Sequence, residues 1–324
     1  MGSSAISLAD AIDNLLENLA ASYCPQNGSI PAQHCGLRSP TRVISISYGE
    51  HEILVPKAVQ ERQCNDFMKL ALQGHTFTMA SGDSGVASQP QGYSGNNISS
   101  NGCIVAGNYN ATFGHGNGPT RNGTVFSPTY PQNCPYILSV GGTQLRANAT
   151  VENPESALQA GRTIRDLQSD YPLFQFSSGG GLSNYFQRPA YQTCAVDEYF
   201  LRNDPGYAYY TFNGLDFSQD SSNIGTSGGL YNRAGRAFPD VSANGGNLGA
   251  YLSGNLSRAL ETSFSAPIWA SILTLINEKR SQAGKGPVGF VNPVLYVGPQ
   301  YHDRSVPEDT ANVYPLGANR LIRK

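Results

Sequence analysis

The order strand–helix–strand between residues 42 and 83 constrains this chain more than any other feature. RVISISYG (42–49) alternates Ile44, Ser45, Ile46 and Ser47, the period of a strand. PKAVQERQCNDFMKLALQG (56–74) has a proline near its start and Gly74 at its end, as a helix does. HTFTMASGD (75–83) reads as a second strand. A helix crossing between two strands predicts a parallel pair. Further along, YILSVGGT (136–143) reads as a third strand, and FPDVSANG (238–245) and GAYLSG (249–254) as short ones. Upstream, residues 7–23 place Leu8, Ile12, Leu15, Leu16 and Leu19 at helical spacing behind Ser7, a plausible N-cap. Residues 263–282 form a long helix whose buried face is expected to be Ile268, Trp269, Ile272, Leu273 and Ile276. Residues 24–41 and most of 84–133 read as loop. With no repeat and no low-complexity linker, the expectation is one α/β domain over residues 1–324, a mostly parallel sheet flanked by helices.

Composition narrows the function classes. A charged fraction of 14% beside 18 tyrosines and 36 glycines points to a secreted protein more than a cytosolic one. A net charge of −2 with no basic stripe argues against nucleic acid or an acidic membrane surface as partner. The longest apolar run, around residues 264–276, is too short and interrupted to span a membrane. Cysteines at 24, 35, 64, 103, 134 and 194 show no CxxC pair and no zinc spacing. Their even number, with sequons at Asn27, Asn97, Asn110, Asn122, Asn148 and Asn255, favours disulfides and export. Of the possible pairings, Cys103–Cys134 is favoured. The opening MGSSAISLADAIDNLL has neither a basic n-region nor a continuous apolar h-region, so a missing N-terminal part is expected.

Three stretches can carry chemistry. ETSFSAP (261–267) sets Ser263 at the mouth of the long helix, with Pro267 tolerable only in the first turn. Free N–H groups and the positive end of the helix dipole converge there, suiting either a capping serine or a serine that attacks a carbonyl. ASGDSG (80–85) puts Asp83 just past the carboxyl end of a strand, where ligand and catalytic groups collect in open α/β sheets. The same geometry suits an Asx-turn. The glycines of SSGGGLSNYF (177–186) permit close approach of another backbone, as a cleft floor or as a plain loop.

These stretches resemble the sedolisins, the serine-carboxyl peptidases, and especially fungal tripeptidyl-peptidase-like members. The matching segments are ISYG (46–49), ASGDSGVAS (80–88), FSPTYPQNCPYILSVGGT (126–143), SSGGGLSNYFQRPAYQ (177–192) and GRAFPDVSANG (235–245). TSFSAPIWASILTLINEKR with GKGPVGFVNPVLY, within 262–296, completes them, and the likeness runs in order from about 42 to 303. The resemblance implies a subtilisin-like fold, with Ser263 as nucleophile and Asp83 as a protonated donor to the oxyanion. It implies acid-acting, extracellular cleavage of a peptide or protein substrate, by tripeptidyl-peptidase or endopeptidase action, by a monomer. The family's base is a glutamate supported by an aspartate four residues later, upstream of the present start. Asp13 and Glu17 are four apart in the reverse order and read as solvent-facing acids; His34, His51, His75, His115 and His302 lack a catalytic setting. Near-inactivity of this chain by itself is therefore expected.

Two further departures from the family stand out. Glu261 occupies the place of a family glycine, next to where an oxyanion develops; a splice error just upstream is one explanation. The family's calcium site maps its first part onto Asp303 and the carbonyl of Arg304, but its later part has no counterpart in the divergent tail 304–324. Half a site binds calcium poorly, since calcium takes six to eight oxygens. Other readings are a non-catalytic secreted protein that binds peptides in the same cleft, or an incomplete gene model.

Overall fold

The structure, a computed structural model, describes residues 7–19, 40–87, 103, 125–145, 148–160, 176–211 and 229–296. Its helices are α1 (Leu8–Leu19), α2 (Lys57–Leu72), α3 (Thr193–Asn203), α4 (Thr262–Gln282) and α5 (Asn292–Tyr296). The strands needed below are β1 (Val43–Ile46), β2 (Thr76–Ala80), β3 (Leu138–Gln144), β4 (Gly181–Gln187), β5 (Gly235–Phe238), β6 (Val241–Asn244), β7 (Leu248–Leu252) and β8 (Asn255–Ala259). The central sheet runs β1–β2–β3–β6, every pair parallel, with Ser156–Ala157 added antiparallel to the end of β3. The α/β expectation with a mostly parallel sheet holds, and α2 is the crossover between β1 and β2.

Alternation along β2 shows how the sheet is sandwiched. Phe77 and Met79 join Ile12 and Leu16 of α1 and Phe67 and Leu70 of α2 in one core; Ala80 joins Val140, Val241, Ala266 and Leu273 in another. All five residues of β2 are buried, as in a parallel sheet covered on both faces. The side of α4 turned to the sheet is Ala266 and Leu273 with half-buried Trp269, whereas Ile268, Ile272 and Ile276 are exposed. That corrects the expected buried face. α4 is apolar nearly all round, so periodicity could not choose a side. β7 pairs with β8 as an antiparallel hairpin, a partner the sequence reading missed.

Cys134 is bonded to Cys64, with Cα atoms 5.7 Å apart, and this overturns the pairing with Cys103. α2 carries Cys64 into the core beside Cys134 and Ile137, so the packing of that helix decides the partner, not nearness in sequence. Asn148 and Asn255 are exposed; the other four sequons lie outside the described residues.

Glu52 is fully buried between elements distant in sequence. Its carboxylate accepts from the Asn133 side-chain amide, the Ser183 hydroxyl and the backbone amides of Asn184 (2.8 Å) and Tyr185 (3.3 Å). Burial outweighs these donors and pushes its pKa up to about 7. The folded state therefore holds a proton that the unfolded chain releases at a lower pH. Stability from this group is full below the unfolded carboxyl value of 4.5 and is lost as pH rises towards about 7. Denaturant melts should show a fall on the order of 3 kcal/mol across that window, and Glu52→Gln should flatten it.

Candidate active site

The site is assembled where β2 ends and α4 begins. The turn after β2 carries Asp83 between Gly82 (φ +105) and Gly85 (φ +63), both in the left-handed region that favours glycine. The turn is held from below by the 177–180 segment. Ser177 N–H donates to the Asp83 carbonyl at 3.0 Å, Gly85 N–H to the Ser177 carbonyl at 3.0 Å, and Gly180 N–H to the Gly85 carbonyl at 3.1 Å. A Cβ on Gly179 would lie 2.3 Å from the Ser81 carbonyl oxygen. The glycine cluster thus does allow close approach of a backbone, and that backbone is the Asp83 turn itself.

α4 reaches the same place from the other side. Thr262, its first residue, donates its backbone N–H to Asp83 Oδ1 at 3.0 Å and its hydroxyl to the same oxygen at 2.8 Å. The Thr262 hydroxyl accepts from the Gly82 amide at 3.2 Å. Asp83 Oδ1 is therefore doubly engaged, and among the described residues no hydrogen bond reaches Oδ2. Burial raises the Asp83 carboxyl above its usual value, against the lowering effect of the two Thr262 contacts. Ser263, half-buried, follows Thr262 directly. The structure thus brings Asp83 and Ser263 to one edge of the sheet, at the carboxyl ends of its strands.

Pro267 needs a correction. With the helix starting at Thr262, it sits in the second turn, not the first. Its missing N–H leaves the carbonyl of Ser263, four residues back, without a helical partner. The Ser47 hydroxyl, just beyond β1, supplies the bond at 3.1 Å. The ISYG and TSFSAP motifs therefore meet at the serine itself, a link that neither motif shows alone. Further along, Ser265 and Trp269 fix α4 to β6 through the Ala243 and Ser242 carbonyls, each at 2.9 Å.

Glu261 is the other departure from expectation. The sequence reading leaves the serine without a proton acceptor nearby. In the structure Glu261 is an exposed N-cap residue with extended backbone (φ −160, ψ 148) and no side-chain capping bond. Its carboxyl pKa is raised, by burial first and by the Asp83 charge second.

The remaining acids and histidines lie elsewhere. Asp13 accepts from Arg62 at 2.6 Å and from Gln63 at 2.8 Å, tying α1 to α2 beyond the opposite face of the sheet. His51 Nδ1 bonds the Ser127 hydroxyl and His75 Nδ1 the Thr41 carbonyl; His34, His115 and His302 are outside the described residues. Asp303 and Arg304 are also outside them, and among the described residues no group of three or more His, Cys, Asp or Glu could hold a metal. No described helix is long and apolar enough to cross a membrane.

No protein-family model matches the chain. The chain is 44% identical to aorsin of Aspergillus oryzae over 265 residues, covering 82% of this chain and 35% of aorsin. It is 38% identical to tripeptidyl-peptidase sed1 of Aspergillus fumigatus, covering 89% of this chain and 41% of that protein. It therefore spans well under half the length of these two relatives. Among solved structures, Pseudomonas sedolisin, a serine-carboxyl proteinase complexed with two molecules of pseudo-iodotyrostatin, aligns with a TM-score of 0.52. That alignment covers 82% of this chain and 54% of the other, at 20% identity, a likeness of fold.

The Gly179 contact generates a test of the geometry. Gly179→Ala should cost about 1–3 kcal/mol through overpacking, and should shift the backbone resonances of Ser81–Asp83. An unchanged melting temperature with unshifted resonances would refute the close approach.

Proposed function

The chain belongs to the sedolisin family, and on that premise we propose that its site hydrolyses peptide bonds by a serine mechanism in mildly acidic surroundings. The observation that carries this reading is the double contact from Thr262 to Asp83 Oδ1, one residue from Ser263. It holds one carboxyl oxygen and leaves Oδ2 to carry the proton. A protonated carboxyl can donate to an oxyanion, whereas an ionised one only accepts. Burial raises the Asp83 carboxyl above its usual value, the direction that favours the protonated form.

In this mechanism Ser263 Oγ attacks the substrate carbonyl carbon. The carbonyl oxygen takes up the electron pair and is met by Asp83 and by the amides and dipole at the N-terminus of α4. The Ser47 contact fixes the serine backbone during attack. Substrates are peptides or proteins, with tripeptidyl-peptidase or endopeptidase action. The protein works as an extracellular monomer, and calcium belongs to this reading only as a family expectation. Turnover by this chain alone is slow, because among the described residues no Glu–Asp pair four apart on one helix faces the serine. The other reading, a cleft that binds peptides uncut, draws on the negative charge of Glu261 beside the reacting centre.

Hydrolysis of a mixed peptide library at acidic pH separates the two. The peptidase reading expects cleavage that Ser263→Ala abolishes and Asp83→Ala lowers by about 10²–10³ in kcat. It also expects kcat to fall as pH rises through the Asp83 titration, and Asp83→Asn to remove that limb. Tight peptide binding with no cleavage, unchanged in Ser263→Ala, would favour the binding cleft.

A further inference from the structure

We infer that Thr262 is a positioning residue for Asp83, and that the single hydrogen of its hydroxyl decides which carboxyl oxygen carries the Asp83 proton. The inference rests on the reading of Asp83 as donor to the oxyanion, and deepens it by assigning the choice between Oδ1 and Oδ2 to the residue just ahead of Ser263.

A threonine hydroxyl has one hydrogen to give and two lone pairs that receive. Three polar atoms stand around Thr262 Oγ1. The Gly82 amide donates to it at 3.2 Å, and two acceptors compete for its hydrogen, the Gly82 carbonyl at 3.1 Å and Asp83 Oδ1 at 2.8 Å. The second is the better bond, since hydroxyl donors prefer about 2.7–2.8 Å. The Gly82 carbonyl is also taken already, by the Gly179 amide at 2.6 Å. The hydrogen therefore points at Oδ1, where the Thr262 backbone N–H converges as well, at 3.0 Å. An oxygen that receives two donors is the acceptor of the carboxyl, so the proton of the neutral form goes to Oδ2. The opposite setting is poorer. With the proton on Oδ1, Asp83 donates to Thr262 Oγ1, the hydroxyl turns to the Gly82 carbonyl, and the Thr262 backbone N–H is left facing an O–H group.

The threonine is held in place for this role. It is fully buried, and a Cβ on Gly142 of β3 would lie 3.3 Å from its Cγ2, so the methyl is seated against the sheet. The other neighbours of Asp83 leave the choice of oxygen to Thr262. Segment 177–180 brings only serine and glycine to the turn, and the side chain beside Gly82 is that of Thr129. Glu261, at the head of α4, is the charged group that faces Asp83, and its negative charge favours the protonated carboxyl without selecting an oxygen. When Oδ2–H donates to an oxyanion, negative charge gathers on the carboxyl, and the two bonds into Oδ1 strengthen with it.

The test uses the full chain. The Asp83 carboxyl carbon is followed by NMR against pH, its signal identified by its loss in Asp83→Asn, and the affinity of a peptide aldehyde is measured by calorimetry at acidic pH. Thr262→Val keeps the volume and loses the hydroxyl. It is expected to move the Asp83 titration to higher pH, because a donor to the ionised form is gone, and to weaken aldehyde binding about 3–10-fold. Thr262→Ser keeps the hydroxyl and loses the methyl, and is expected to restore both. A packing role gives the reverse ranking, and a loosened site that admits water moves the titration to lower pH. The inference is overturned by a Thr262→Val titration that stays or falls, by an unchanged affinity, or by a Thr262→Ser no nearer to wild type than Thr262→Val. Where circular dichroism shows Thr262→Val unfolded, Thr262→Ser decides alone: titration and affinity like wild type uphold the inference, and a change in either overturns it. The serine reading is judged separately. Aldehyde binding lost in Ser263→Ala upholds that reading whatever Thr262 does, and binding indifferent to Ser263→Ala, or absent in the wild type, sinks both.

Discussion

The clasp between Thr262 and Asp83 is the contact on which the rest of this molecule depends. It joins the turn after a central strand to the first residue of the longest helix, across 179 residues of sequence. Around it the fold closes layer by layer: the glycine segment 177–180 supports the turn, and β6 and Gly245 seat the helix. One carboxyl oxygen is thereby held by two contacts from a single residue.

Much of this was legible in the residues. Alternating Ile and Ser at 44–47, the helix 56–74 and the run HTFTMASGD declare a parallel pair, because periodicity is a local property. The nearness of Ser263 and Asp83 was implied by the resemblance to the sedolisins; the residues alone left a capping serine and an Asx-turn open as well. What stayed hidden depends on packing between distant elements. Cys64 meets Cys134 only because α2 lies where it does. Glu52 directly follows the two-residue strand Glu50–His51, and only the arrival of Asn133 and Ser183 makes it a buried hub. The side chosen by α4 was invisible, since a helix apolar on all faces gives no amphipathic direction.

Buried polar groups also specify this core. Arg236 and Asp240, both fully buried, pair at 2.6 Å, and Asp240 also accepts from the Ser139 amide and from Tyr296. The pair links β3, the end of β5 and α5. A buried pair is weak evidence for stability, because desolvation offsets much of the attraction. Its geometry instead fixes how β3 and the segment entering β6 lie together, and β6 in turn seats α4.

Pro267 acts in the opposite sense from the usual expectation for a helix. By withholding an amide it frees the Ser263 carbonyl, and Ser47 captures it. The helix is thus indexed at two consecutive residues: at 262 against the β2 turn, and at 263 against the segment just beyond β1. A slip of α4 by even one residue breaks both marks at once. The freedom of the backbone at the head of α4 is thus spent when the chain folds.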